Sequence, residues 1–182
     1  MTPTETQRAV FSDCRTYRYE LWRVWDESLP YVAFIGLNPS TADETKDDPT
    51  IRKCRHFAKA WGYGGFVMLN LFPFRATDPR ELKKAKQPYG ELYMPRGGVY
   101  WWSNTKRIVE HVRASGLIVA AWGVDGAHRN KAWNLMNFLT QHSMGPRIHC
   151  LGTNNDGSPK HPLYLANETK PVPYGEAWRK GA

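Results

Sequence analysis

Cysteine is scarce in this sequence. Its three residues, Cys14, Cys54 and Cys150, are odd in number and widely scattered. That spacing argues against a disulfide framework and against a cysteine-rich metal site, and makes a reducing, cytoplasmic setting the expectation. Long apolar runs are missing too. The longest, residues 117–122, falls far short of the roughly 20 residues a membrane helix needs. Residues 1–15 hold no continuous apolar stretch of the secretory type, so no membrane association is expected. The chain lacks Gly-x-x-x-x-Gly-Lys, His-Glu-x-x-His and Gly-x-Ser-x-Gly, which argues against a P-loop nucleotidase, a zinc protease and an α/β-hydrolase. No internal repeat or low-complexity segment stands out, and nothing in the pattern implies a cofactor; the acidic cluster Asp43, Glu44, Asp47 and Asp48 offers oxygens of the kind a divalent cation takes, but its spacing matches no known metal loop.

Negative charge is the minority. Against 17 acidic residues stand 25 lysines and arginines, for a formal net charge of +8. Such an excess favours polyanionic partners, DNA, RNA or phosphorylated small molecules such as a nucleotide, with a soluble surface that happens to be basic as the alternative. The eight Trp, nine Tyr and seven Phe leave room for a few aromatic side chains to stack on bases beside a core built from the rest.

With 182 residues, 41% of them hydrophobic, the chain suits one domain. Its core is expected over about residues 14–166, with a Pro-rich tail at 167–182 wrapping the surface. Residues 16–25 partly alternate, with Tyr17, Tyr19, Leu21 and Trp25 on one side, and predict an antiparallel edge strand. The apolar run 31–37 predicts a buried strand. Asp48 as cap, Pro49 at the first position and Gly62 as stop predict a helix between them. A strand at 66–72, a short helix at 79–85 and a helix at 103–114 follow. A strand at 117–122, a helix at 127–142 and a strand at 147–151 complete the pattern. Alternating strands and helices imply an α/β fold. The expected form is a three-layer α/β/α sandwich with a mostly parallel, roughly four-stranded sheet and an antiparallel N-terminal edge strand.

Such sheets bind ligands beyond the carboxyl ends of their strands. That rule alone selects the candidate site. The first strand ends in Gly36, Leu37, Asn38, Pro39 and Ser40. Asn38 offers a donor and an acceptor there, or merely turns the backbone before Pro39. The second strand ends in Asn70, Phe72 and Arg75; Phe72 or Phe74 is placed to stack on a base and Arg75 to hold a phosphate. Trp122 and Gly123 end the third. A flexible polar loop, 153–160, leads to His161, which is placed to donate a hydrogen bond or a proton. The other five histidines read as surface residues. Of the acidic group Asp43, Glu44, Asp47 and Asp48, capping and solvation account for most, leaving Asp43 as the acid to reach the site. Arg52 either returns toward that site to pair with an acid or phosphate or stays solvated.

The strings Gly36-Leu37-Asn38-Pro39-Ser40-Thr41-Ala42-Asp43, Asp47-Asp48-Pro49-Thr50-Ile51-Arg52, Trp61-Gly62-Tyr63-Gly64-Gly65, Asn70-Leu71-Phe72, Arg75-Ala76-Thr77-Asp78-Pro79 and His161-Pro162-Leu163-Tyr164-Leu165 resemble the domain of unknown function 1643 family over roughly residues 14–166. More distantly, the order of motifs resembles the uracil-DNA glycosylase superfamily. The second resemblance implies a uracil-DNA-glycosylase-like fold, with Asn38 matching the residue that positions the attacking water. It makes His161 the histidine that steadies the departing base and puts Asn70 among the base-reading groups. Departures are visible: Leu163-Tyr164 replaces the Ser that contacts the DNA backbone, and the acidic loop 41–48 has no counterpart. Three functions stay open, in this order. One is an enzyme hydrolysing the N-glycosidic bond of a damaged or modified base. The others are a non-catalytic nucleic-acid or nucleotide-binding module, and a metal-dependent enzyme acting on a phosphorylated small molecule.

Overall fold

The computed structural model describes residues 5–93 and 101–181. Seven strands form one mixed sheet: β1 (Thr6–Phe11), β2 (Arg18–Val24), β3 (Tyr31–Gly36), β4 (Gly65–Asn70), β7 (Leu117–Ala120), β8 (Ile148–Cys150) and β9 (Val172–Pro173). They lie in the order β1-β2-β4-β3-β7-β8-β9. The middle four, β4, β3, β7 and β8, are parallel, whereas β1, β2 and β9 run antiparallel to their neighbours. The expected count of four is therefore the parallel core only. A separate two-stranded pair, β5 (Leu92–Tyr93) with β6 (Trp101–Trp102), follows the Lys-rich stretch. The helices are α1 (Pro49–Ala60), α2 (Pro79–Lys84), α3 (Ser103–Ala114) and α4 (Lys131–Gln141).

Alternation along the central strands sorts side chains into two layers, as a period of two requires. Val32, Phe34, Phe66, Met68 and Val119 point toward α1, where Ile51, Cys54, Phe57 and Ala58 meet them. Ala33, Ile35, Val67, Leu69, Ile118 and Ala120 point the other way, toward Ile108 and Val112 of α3 and Leu135, Met136 and Leu139 of α4. Helices thus cover both faces, which is why these strands are apolar throughout. Asp48 caps α1 by accepting the Ile51 N–H at 2.9 Å, and Gly62 follows the helix at φ +80°, a left-handed position that glycine adopts without strain.

Three expectations change. The strand at 16–25 is not the edge of the sheet, because β1 pairs along it. Nor does it alternate cleanly. Val10 pairs with Glu20 but Phe11 with Arg18, so Tyr19 is an inserted residue. This bulge carries Arg18 onto the face of Leu21 and Arg23. The tail does not merely wrap the surface either: β9 pairs with β8, and Tyr174 and Trp178 join the core. Finally, α4 starts later than expected, after a 3₁₀ turn at Val124–Asn130 in which Arg129 and Asn130 take positive φ. No helix among the described residues is long and apolar enough to cross a membrane.

Candidate functional site

In the parallel core, β3 is followed by α1 on one face, whereas the connections after β4 and β7 run through α3 and α4 on the other. The winding reverses between β3 and β7, and a crevice opens there beyond the strand ends. A cleft of about 740 Å³ occupies it, within the range of small-molecule sites. Gly36, Leu37, Asn38, Ser40, Asn70, Trp122, Gly123 and His161 all line it. So do Asp125, Asn154 and Lys160 from the strand-end loops, and Arg18 and Asp48, neither of which the sequence singled out as a site residue. Thr50 and Ile51, from the first turn of α1, add to the wall. A smaller cavity of about 360 Å³ shares Trp122 and Val124 with the cleft and is lined by Trp133, Tyr174 and Trp178.

Asn38 is held by its nitrogen. Nδ2 donates to the Ala76 carbonyl at 2.7 Å and to the Pro39 carbonyl at 3.2 Å. Only an amide nitrogen serves two carbonyls, so the atom left for a ligand is Oδ1, an acceptor. Asn70 has the opposite character. It is 2% exposed, and its Nδ2 is a buried donor with no hydrogen-bond partner among the described residues. Buried amides without partners are rare in folded proteins. Gly36 makes room for it: a Cβ there would lie 2.9 Å from Asn70 Oδ1 and 2.6 Å from Met68 Cε. Gly123 sits at φ +69°, which lets the chain turn sharply along the cleft rim.

His161 arrives on a braced loop rather than a flexible one. Asn154 Nδ2 donates to Ser158 Oγ at 2.9 Å, Ser158 Oγ donates to Asp156 Oδ1 at 2.6 Å, and Tyr174 Oη donates to the Gly157 carbonyl at 3.0 Å. The 3₁₀ turn Pro162–Tyr164 then packs against α1. His161 Nδ1 accepts the Leu163 N–H at 3.3 Å. In the neutral ring the proton must therefore sit on Nε2, which makes that atom a donor. Burial pushes the His161 pKa below its ordinary value, with the Asp48 carboxylate working against the shift. The ring is accordingly neutral at pH 7.

The acidic loop is bound to the protein. Asp43 Oδ1 accepts the backbone N–H groups of Thr45 and Lys46 at 2.9 and 2.8 Å, and these hold its pKa below the ordinary carboxylate value. Glu44 pairs with Arg15, both nitrogen–oxygen contacts being 2.9 Å. Asp47 takes Arg23 at 2.8 Å and Arg55 at 2.8 Å. Arg23 has no exposed side-chain surface. It also donates to the Asp43 carbonyl at 2.7 Å and the Trp22 carbonyl at 2.8 Å, so it staples the loop to β2. Asp48 alone of the four reaches the cleft. Its Oδ1 caps α1, and Oδ2 has no hydrogen-bond partner among the described residues. No group of three His, Cys, Asp or Glu side chains suited to a metal ion occurs among the described residues.

Five candidates lie off the cleft wall. Pro39 is buried beneath the loop it turns, and Asp43 is spent on its own turn. Arg52 is exposed and donates to the Asp47 carbonyl at 2.7 Å. Phe72 is fully buried in the layer beneath α3 and α4, so it has no face free for a base. Arg75 turns toward β1, over the Phe11 ring at 5.0 Å, and donates to the Arg15 carbonyl at 3.2 Å. Phe74 is likewise engaged, edge-on to Tyr17 at 6.3 Å. Nor is His111 a surface group: its side chain is 12% exposed, beside Glu20 at 3.6 Å and Trp22. Asp48 was legible in the sequence as a helix cap within the acidic cluster, whereas Arg18 drew no reading of its own.

The fold and the cleft define a doubly wound α/β protein with a polar cleft at its switch point. The chain matches, over residues 18–163, the model of a family described as protein of unknown function (DUF1643), and it belongs to that family. No curated protein matches it, and no solved structure does.

Proposed function

We propose that the cleft takes a nucleobase and that the protein hydrolyses an N-glycosidic bond, as the resemblance to uracil-DNA glycosylases suggests. The observation that carries the reading is the complementary set of unpaired polar atoms in one cleft. Asn38 offers a fixed acceptor, Asn70 a buried free donor, and His161 a neutral ring whose donor is Nε2. A heteroaromatic base presents donors and acceptors along its edges, and such groups read it.

The chemistry follows from these roles. As the bond between the sugar carbon and the base nitrogen breaks, its electron pair stays on the base, and His161 Nε2–H and Asn70 Nδ2–H stabilise that charge. A neutral imidazole suits this task because it donates without giving up its proton. Asn38 Oδ1 accepts from the attacking water and orients it. The free carboxylate oxygen of Asp48 takes the proton the water sheds as its oxygen bonds to the sugar carbon. The net charge of +8 supports a nucleic-acid substrate, and a base in duplex DNA would have to leave the stack to enter.

The test is base release from a panel of DNAs carrying damaged or modified bases, with free nucleosides alongside. Release by wild type, reduced at least about a hundredfold in Asn38→Ala and in His161→Ala, is expected, since general acid–base and electrostatic groups of this kind contribute on that order. An inert wild-type protein that still binds DNA in a salt-sensitive manner would replace this reading with the binding module. The metal-dependent alternative finds no support in the loop 43–48, where Asp43, Glu44 and Asp47 are engaged internally.

A further inference from the structure

Arg18 is a buried charge with little compensation. The residue is 2% exposed, and its side chain forms no ion pair within 4.0 Å among the described residues. Nη1 donates to the Ala42 carbonyl at 2.6 Å, but Nε is buried without a partner and Nη2 has none either. Burial pushes its pKa down to about 10, against the pull of Asp48 and with Arg75 and Arg23 adding repulsion. A buried cation left this way is costly unless something pairs with it. The bulge at Tyr19 keeps it there by turning Arg18 onto the cleft side of β2. The cleft it lines also holds Lys160 and the orphan donor of Asn70.

We propose that Arg18 is an anion-binding residue of the cleft and that the ligand brings it a phosphate group. The guanidinium presents Nε–H and Nη2–H side by side, the fork that matches two oxygens of a phosphate. Asn70 then meets the uncharged part of the same ligand. Lys160, at the rim, adds a second positive charge without fixed geometry. The anion site stands on Arg18 alone; assigning its phosphate to a nucleotide rests on the nucleobase reading above.

Calorimetry on the full chain tests this at about 0.15 M salt, where exposed charges are largely screened. The probes are inorganic phosphate, pyrophosphate, the four deoxynucleosides, their 5′-monophosphates, and a short single-stranded oligonucleotide. Wild type is expected to bind a monophosphate or the oligonucleotide at least about tenfold more tightly than the matching nucleoside. Arg18→Met should abolish that preference and melt at or above the wild-type temperature, because a methionine of similar shape relieves an unpaired buried charge. Preference for the oligonucleotide over the monophosphates would place the phosphate in a strand; the reverse would make it a free nucleotide's. Phosphate or pyrophosphate binding lost in Arg18→Met, with no nucleoside bound by any variant, would uphold the anion site and overturn the nucleobase reading. Equal binding of charged and uncharged probes by wild type, or an Arg18→Met protein that keeps the preference, overturns the proposal. If Arg18→Met does not fold, Arg18→Lys decides. It keeps the charge without the fork and should lose at least threefold of the preference; an unchanged preference overturns the proposal.

Discussion

Replacing Arg23 by methionine removes the guanidinium that staples loop 40–48 to β2 while keeping most of the buried aliphatic stem. The wild-type group has no exposed side-chain surface, pairs with Asp47 at 2.8 Å, and donates to the Asp43 and Trp22 carbonyls at 2.7 and 2.8 Å. Breaking a buried pair from one side costs about 3–5 kcal/mol, chiefly because the partner is left unpaired. Here the low end applies. Asp47 is 19% exposed and keeps Arg55 at 2.8 Å, so its charge is not stranded. The Asp43 and Trp22 carbonyls do lose a charged donor. The expected loss is about 3 kcal/mol, a large part of the roughly 5–15 kcal/mol that stabilises an ordinary domain. Urea unfolding followed by far-ultraviolet circular dichroism measures it. Hydrogen exchange adds a local readout, since the amides of Lys46 and Ile51, both held by loop carboxylates, should exchange faster. A loss below about 1 kcal/mol with unchanged exchange at Lys46 would refute the reasoning.

Two further predictions concern the frame around the site. Burial alone would raise the Glu20 pKa, but the His111 ring at 3.6 Å and hydrogen bonds from Trp22 and Arg107 outweigh it and bring it from 4.5 down to about 2. A depressed carboxylate pKa stabilises the fold above its unfolded value, so about 3 kcal/mol should be lost as pH falls from about 5 to 2. The stability difference between wild type and Glu20→Gln must shrink across that window; a constant difference would contradict the assignment. Trp178 is 9% exposed in the core, so Trp178→Ala should cost about 3 kcal/mol in the same unfolding assay. A loss within about 0.5 kcal/mol would mean that the tail only lies on the surface.

How much the sequence disclosed depended on whether a local signal existed. Helix α1 was legible because Asp48, Pro49 and Gly62 mark its ends chemically. The parallel core was legible because strands buried on both faces carry apolar residues throughout. Once the core was read, the rule of strand ends brought out Asn38, Asn70, Trp122 and His161, which the structure gathers in one cleft. What stayed hidden is decided by tertiary pairing. The strand β1 is half polar and becomes a strand by pairing with β2. Pro173 sits in an edge strand, which a Pro-rich tail does not announce. The bulge at Tyr19 has no local signature, so nothing in the alternation announced that Arg18 shares the buried face of Leu21. Phe72 and Arg75 stood at a strand end as the rule requires, yet burial of one and the turn of the other took them off the wall.

The central claim is that His161 presents a neutral Nε2–H donor into a cleft that accepts a nucleobase. Nitrogen NMR of the imidazole ring tests it most directly. The account predicts that at pH 7 His161 Nδ1 is unprotonated and Nε2 protonated, that the ring titrates below its ordinary value of 6.5, and that adding a free nucleobase shifts the Nε2 resonance together with the side-chain amide of Asn70. A ring protonated on Nδ1 at pH 7, or nucleobase-induced shifts that bypass both His161 and Asn70, would contradict it.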